Sequence, residues 1–172
     1  DKNSELVYDY AENNSIYKDS SEWAIEFPDL LSEKGVFTCF NCIIGNPPYG
    51  LLNKKQNQNT SISVSPELLE YYKNSPAYAW ARGGVLNLYR MFICRCFSLL
   101  KEEGHCCLIF PLAFMGDFTN AKIREFVMRN TQIDFIEAFP ERDIESKRVF
   151  KEVKMSVCIL GATKRKVDSS YK

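Results

Sequence analysis

The stretch Phe37-Thr38-Cys39-Phe40-Asn41-Cys42-Ile43-Ile44-Gly45-Asn46-Pro47-Pro48-Tyr49-Gly50 limits what this chain can fold into more than any other. Its Phe, Ile and Cys residues suit a strand buried on both faces, as in a parallel sheet. Two consecutive prolines cannot donate ladder hydrogen bonds, so the strand must stop at them. The result is a stiff loop carrying an amide (Asn46), two carbonyls (Pro47, Pro48) and an aromatic ring (Tyr49) at a strand's carboxyl end. In open α/β sheets that end is where ligands bind. Asn46 Oδ1 and the Pro47 carbonyl are two acceptors held close together, which suits an exocyclic NH2 with two hydrogens to give. The Tyr49 ring suits a flat base above it. Pro-Pro alone would be an ordinary turn; Gly-Asn-Pro-Pro-Tyr-Gly directly after an apolar strand reads as a site.

A chain of 172 residues, 45% hydrophobic and 26% charged, can make one soluble domain with a real core. Its formal net charge of zero excludes a strongly basic nucleic-acid binder taken whole. The charge is unevenly spread, with three Lys/Arg and nine Asp/Glu in residues 1–36 but nine and four in residues 142–172. No apolar run reaches the length of a membrane span, and no basic-then-apolar signal opens the chain. Five of the seven cysteines (Cys94, Cys96, Cys106, Cys107, Cys158) sit in apolar runs, which suits small core residues in a reducing cytoplasm. Cys39 and Cys42 would point to opposite faces of a strand. With His105 the only histidine, no zinc, redox or Ser-His-Asp site is expected.

In order, residues 1–22 form an acidic, weakly ordered lead-in, and 23–172 the folded part. Trp23 to Pro28 alternates large apolar residues and is expected to pack as an extended piece. Asp29 to Lys34 is read as one helical turn ended by Gly35, and Phe37–Ile44 is the first strand. Residues 50–84 form a long substrate-side insertion, with a loop over Leu51–Ser65 carrying Lys54 and Lys55. Ser65-Pro66-Glu67 starts a short helix that stops by Asn74 to Pro76. Val85 to Leu100 has helical periodicity on both faces, as a crossover helix needs. Cys106–Phe110 is the second strand, Thr119 caps a helix through Asn130, Ile133–Phe139 is the third strand and Met155–Ala162 the fourth. Glu141–Lys154 is a charged segment interrupted by Val149-Phe150.

Asn46-Pro47-Pro48-Tyr49 resembles the catalytic motif of amino-methyltransferases that use S-adenosylmethionine. Asn87-Leu88-Tyr89 to Leu99-Leu100-Lys101, Gly104, the strand ending Phe110-Pro111, and Val149-Phe150 before Ser156-Val157 fit the elements that follow it there. Trp23-x-x-Glu26-Phe27-Pro28 looks like the lead-in of bacterial type IIG restriction–modification proteins. Over residues 23–162 the chain is thus similar to N6-adenine DNA methyltransferases of the gamma motif order. The resemblance implies an α/β fold, the C-terminal half of a Rossmann-like, three-layer domain with a mixed sheet. The implied strand order is first, second, fourth, third, with the fourth antiparallel to the rest.

It also implies a reaction. A flipped adenine would lie between Tyr49 and Phe150, its N6 hydrogens bonded to Asn46 Oδ1 and the Pro47 carbonyl, with Pro48 stiffening the loop. Phe92 would line the pocket of the cofactor's adenine, with Asn46 beside it; Phe92 could equally be a plain core residue, and Phe150 a strand-edge packing residue. The family's glycine-rich cofactor loop should precede the motif, yet no G-x-G occurs in the sequence. A fragment of a larger protein is therefore expected, inactive alone, acting on double-stranded DNA with the rest of its domain and a target-recognition domain. Protein-glutamine and RNA methyltransferases share the motif, and a purely structural half-domain is the non-enzymatic alternative. Finally, the 37–44 strand would have one unpaired edge. Either Trp23–Phe27 folds back on it as a substitute strand, or a second copy of the chain does.

Overall fold

The structure, a computed structural model, describes residues 23–53 and 61–165. The acidic lead-in and Lys54 and Lys55 lie outside them. The chain divides between Cys39 and Phe40 into two compact units.

In the first unit, Trp23–Glu26 is a single helical turn, α1. The Phe27 N–H donates to the Trp23 carbonyl at 3.0 Å, and the two rings stack with centroids 5.8 Å apart. The extended piece expected here, and with it the substitute strand, is therefore not found. Aromatic residues four apart meet on a helical turn, whereas on a strand they share a face but stand about 13 Å apart. Pro28–Leu30 continues as a 3-10 turn, and Leu31 bridges Phe37 around Gly35, whose φ of +72° only glycine adopts without strain.

In the second unit, β1 (Phe40–Gly45) starts three residues later than expected, after Cys39 at a φ of +67°. The insertion is not featureless. β2 (Leu51–Asn53) and β3 (Ser61–Ser63) pair in parallel as a separate ladder. In α2 (Pro66–Asn74), Ser65 Oγ accepts from the Leu68 N–H at 3.2 Å, the cap the sequence announced. A 3-10 stretch over Pro76–Ala81 follows. The crossover helix α3 (Leu88–Leu99) begins at Asn87 rather than Val85, because the Asn87 side chain caps it by accepting from the Tyr89 N–H. Then come β4 (Leu100–Pro111), α4 (Ala113–Gly116), α5 (Ala121–Asn130), β5 (Thr131–Phe139) and β6 (Val157–Lys164). Asp117, not Thr119, caps the 3-10 turn that leads into α5.

The main sheet runs β1-β4-β6-β5, with β1 parallel to β4 and β6 antiparallel to both neighbours. This is the order implied by the resemblance. The core lies between one sheet face (Ile43, Cys106, Leu108, Phe110, Leu160) and the inward sides of α3 and α5. The other face is barer: Ile44 is 78% exposed, and the half-exposed Phe135 ring lies over Gly161. β1 is thus not buried on both faces. It is an edge strand: along Cys42–Gly45 it pairs with β4, and among the described residues no sheet strand pairs along its other side.

One buried side chain fixes the loops above the core. Arg90, 3% exposed on α3, donates through Nη1 to the carbonyls of Gly83 (2.7 Å) and Thr119 (2.8 Å) and through Nη2 to that of Val85. A Cβ on Gly83 would stand 2.1 Å from the Thr119 carbonyl oxygen. A Cβ on Gly161 would stand 2.2 Å from the Phe135 ring, but that ring can swing into solvent. Gly83→Ala should therefore lose about 1–3 kcal/mol of stability by overpacking, and Gly161→Ala distinctly less. Urea midpoints of the two variants check this; equal losses would mean that the Arg90 bracket is not rigid.

Candidate active site

The Gly45-to-Gly50 loop leaves β1 with Pro47 buried and Asn46 and Pro48 exposed. Its turn back is tight: a Cβ on Gly50 would meet Ile62 Cδ1 at 2.9 Å. The Tyr49 hydroxyl lies 2.6 Å from Asn46 Oδ1 and 2.9 Å from the Ile109 carbonyl of β4. With a single hydrogen, it donates to one acceptor at a time. Burial, helped by the nearby Cys158 thiol, pushes the Tyr49 phenol up to about 12, so it stays a donor at neutral pH.

Because β1 and β4 are parallel, their proline-stopped carboxyl ends emerge side by side. Between them opens a cavity of about 400 Å³, lined by Tyr49, Asn87, Arg90, Pro111, Asp117 and Met155, among others. Its walls are braced from within. The Tyr89 hydroxyl donates to Asn120 Oδ1 at 2.8 Å, and Asn120 Nδ2 to the Ala113 carbonyl at 2.9 Å. Burial is the main reason the Tyr89 phenol rises to about 12. The Asp117 carboxylate accepts from the Thr119 N–H (2.9 Å) and Oγ1 (3.0 Å), which holds its pKa below the usual carboxylate range. Arg124 Nη1 donates to the Phe114 and Asp117 carbonyls, each at 2.7 Å.

Of the residues singled out from sequence, Asn46 and Tyr49 are brought into contact, and Tyr49 lines the cavity. Phe92 and Phe150 do not line it. Phe92 is 43% exposed on the outer side of α3, so it is not a core residue. Phe150 is partly buried in the 140–156 segment, which is an organised loop rather than a loose charged run. Ser156 Oγ closes that loop on the Pro140 carbonyl at 2.7 Å, and Arg148 Nε donates to the Arg142 carbonyl at 2.6 Å. Sequence reasoning missed Arg90, Asp117 and Asn120. Arg90 had a signal, since a charge on the apolar stripe shared by Leu86, Ile93 and Phe97 needs buried partners.

Comparison with known proteins gives a consistent result. The family model described as Eco57I restriction-modification methylase matches residues 2–144. The chain is 30% identical over 130 residues to the type II restriction enzyme and methyltransferase RM.Eco57I of Escherichia coli, covering 76% of this chain and 12% of that protein. It is 31% identical over 120 residues to the type II methyltransferase M.TthHB8I of Thermus thermophilus, covering 68% and 26%. This chain therefore spans about an eighth and a quarter of these two relatives. Two solved structures share the fold. One is a class I S-adenosylmethionine-dependent methyltransferase candidate from Listeria monocytogenes (TM-score 0.51, 22% identity, 76% of this chain and 33% of that one). The other is a nuclease-deletion mutant of the type ISP restriction–modification enzyme LlaGI with a DNA substrate mimic (TM-score 0.55, 17% identity, 83% and 16%). With its sheet order and most of its length matched, the chain belongs to the Eco57I restriction-modification methylase family.

Proposed function

We propose that this chain carries the catalytic half of a restriction–modification DNA methyltransferase acting on the N6 amino group of an adenine taken out of the duplex. The observation that carries the reading is the pairing of Asn46 with Tyr49 at the end of β1, beside a cavity of about 400 Å³. That volume is in the range of small-molecule and base pockets. Asn46 Oδ1 and the Pro47 carbonyl would accept the two N6 hydrogens and localise the nitrogen lone pair, with Pro48 fixing their spacing. Tyr49 stacks on the base, and Phe150 is the opposing wall once the 140–156 loop meets substrate.

The residues present fit part of an S-adenosylmethionine site. Phe92 offers an exposed ring on the outer side of α3, beside the polar Arg95 and Ser98 in sequence, and Asn46 is exposed at the strand end. Bound there, the cofactor supplies an electrophilic methyl group on a sulfonium sulfur. The chain's own part is to hold the amino group still, which needs alignment more than a strong base. Duplex DNA, the rest of the methyltransferase domain and a target-recognition domain are the proposed partners, and a second copy along Cys42–Gly45 is a further one. No helix of the described residues is long and apolar enough to cross a membrane.

In the natural polypeptide that carries this sequence, Asn46→Ala should cut methyl transfer to DNA by orders of magnitude and leave DNA binding nearly intact. Tyr49→Ala and Phe150→Ala should each lose about 1–3 kcal/mol of base stacking, and Trp at either position less. Radiolabelled methyl transfer to DNA, RNA and a Gln peptide in parallel tests the substrate class; near-normal turnover by Asn46→Ala would exclude the paired acceptors. The 172-residue chain alone should bind no S-adenosylmethionine at micromolar concentration in calorimetry; tight binding would mean that the donor site is misplaced. Sedimentation of that chain should show a concentration-dependent dimer, lost when Ile44 is changed to Lys; a monomer at all concentrations would exclude the second copy.

A further inference from the structure

Phe118 is 89% exposed, at the rim of the cavity that its neighbours Asp117 and Thr119 help to line. A single exposed apolar side chain is ordinary. The support beneath this one is not. The turn that displays it is tied down on every side by side chains already described: the Asp117 carboxylate, the Arg124 and Arg90 guanidinium groups, and Asn120, itself 2% exposed and held by Tyr89. A loop that needed only to connect β4 to α5 could leave these groups in water. Here the backbone is fixed during folding, so that a partner meets the ring without an ordering cost.

We propose that Phe118 is a wedge for duplex DNA, stacking into the space beside the nucleotide that enters the Tyr49 cavity. The inference rests on the reading given under Proposed function and extends it. Extruding a base leaves the adjoining base pairs with bare faces, at a cost of about a few kcal/mol per unstacked step. An apolar ring on the rim recovers part of that stacking. Lys122, exposed one helical turn further on, adds the cation that a phosphate needs and that an apolar protein pocket does not. Having no hydrogen-bonding group, Phe118 contributes to extrusion and not to sequence choice.

The test uses the natural polypeptide that carries this sequence, unchanged and as Phe118→Ala and Phe118→Trp. Binding is measured to two fluorescent duplexes that differ only by one abasic site, which offers a ready-made gap. The unchanged protein should prefer the gapped duplex. Phe118→Ala should lose about 5- to 150-fold in affinity for it, the range of one aromatic–base stack. It should bind the intact duplex nearly as before, and Phe118→Trp should restore the preference. Thermal melting should be unchanged, because the ring touches little of its own fold. Phe118→Ala with an undiminished gap preference, or with equal loss on both duplexes, overturns the wedge. A lowered melting temperature of Phe118→Ala, with DNA binding intact, overturns it in favour of a contact within the protein. Failure of the unchanged protein both to bind and to methylate DNA is the separate outcome that removes the underlying reading.

Discussion

A buried guanidinium bonded to three carbonyls, with no carboxylate of the described residues within bonding distance, is the interaction on which the upper half of this structure depends. An ion taken out of water costs several kcal/mol unless its donors are satisfied. Arg90 Nη1 and Nη2 both find carbonyls, while the buried Nε finds no partner among the described residues. Each bond from Arg90 to a carbonyl returns about 1.5–3 kcal/mol net, as hydrogen bonds of charged groups do. The three carbonyls belong to Gly83, Val85 and Thr119, so the approach to α3 and the loop after β4 become one body. Burial lowers the Arg90 pKa, but arginine starts so high that the charge survives at any physiological pH. Lysine, a point donor on a flexible stem, could not span all three acceptors.

That bracket matters because of where the sheet delivers its strand ends. Parallel pairing of β1 with β4 puts the Asn46 loop and the Pro111 turn at the same edge of the sheet. The Tyr49 hydroxyl then reaches both, donating its one hydrogen to either Asn46 Oδ1 or the Ile109 carbonyl. One wall of the cavity is thereby held by a phenol and the other by a guanidinium, both anchored to backbone. Neither wall relies on a surface ion pair, so the site's shape should be insensitive to salt.

Much of this was legible in the residues, and the exceptions have physical causes. Proline stops marked the ends of β1 and β4, a Ser-Pro-Glu run marked the start of α2, and the mixed strand order followed from the resemblance. The start of α3 was read too early because a side-chain cap outranks periodicity there: Val85 and Leu86 are apolar in register, but Asn87 holds the cap. Trp23 to Phe27 was misread because alternating apolar residues also stack four apart on a helical turn. At the site, the contiguous motif was visible and the discontinuous bracing was not. Arg90, Asp117 and Asn120 meet only after a crossover and a turn have brought them together, and no local spacing encodes that.

In the proposed reaction, Tyr49 would have a consequence for the end of the catalytic cycle. Its one hydroxyl hydrogen has two acceptors within reach and can pass from Asn46 Oδ1 to the Ile109 carbonyl without leaving the phenol undonated. In that reaction, an arriving amino group takes Asn46 Oδ1 and the phenol turns its hydrogen to the Ile109 carbonyl. Arrival is thus an exchange of partners, and the amino group adds little net affinity. A methylated nitrogen has one hydrogen left and can satisfy only one of its two acceptors. The phenol can return to the other, so the same tie that shapes the Asn46 loop would help to expel the product.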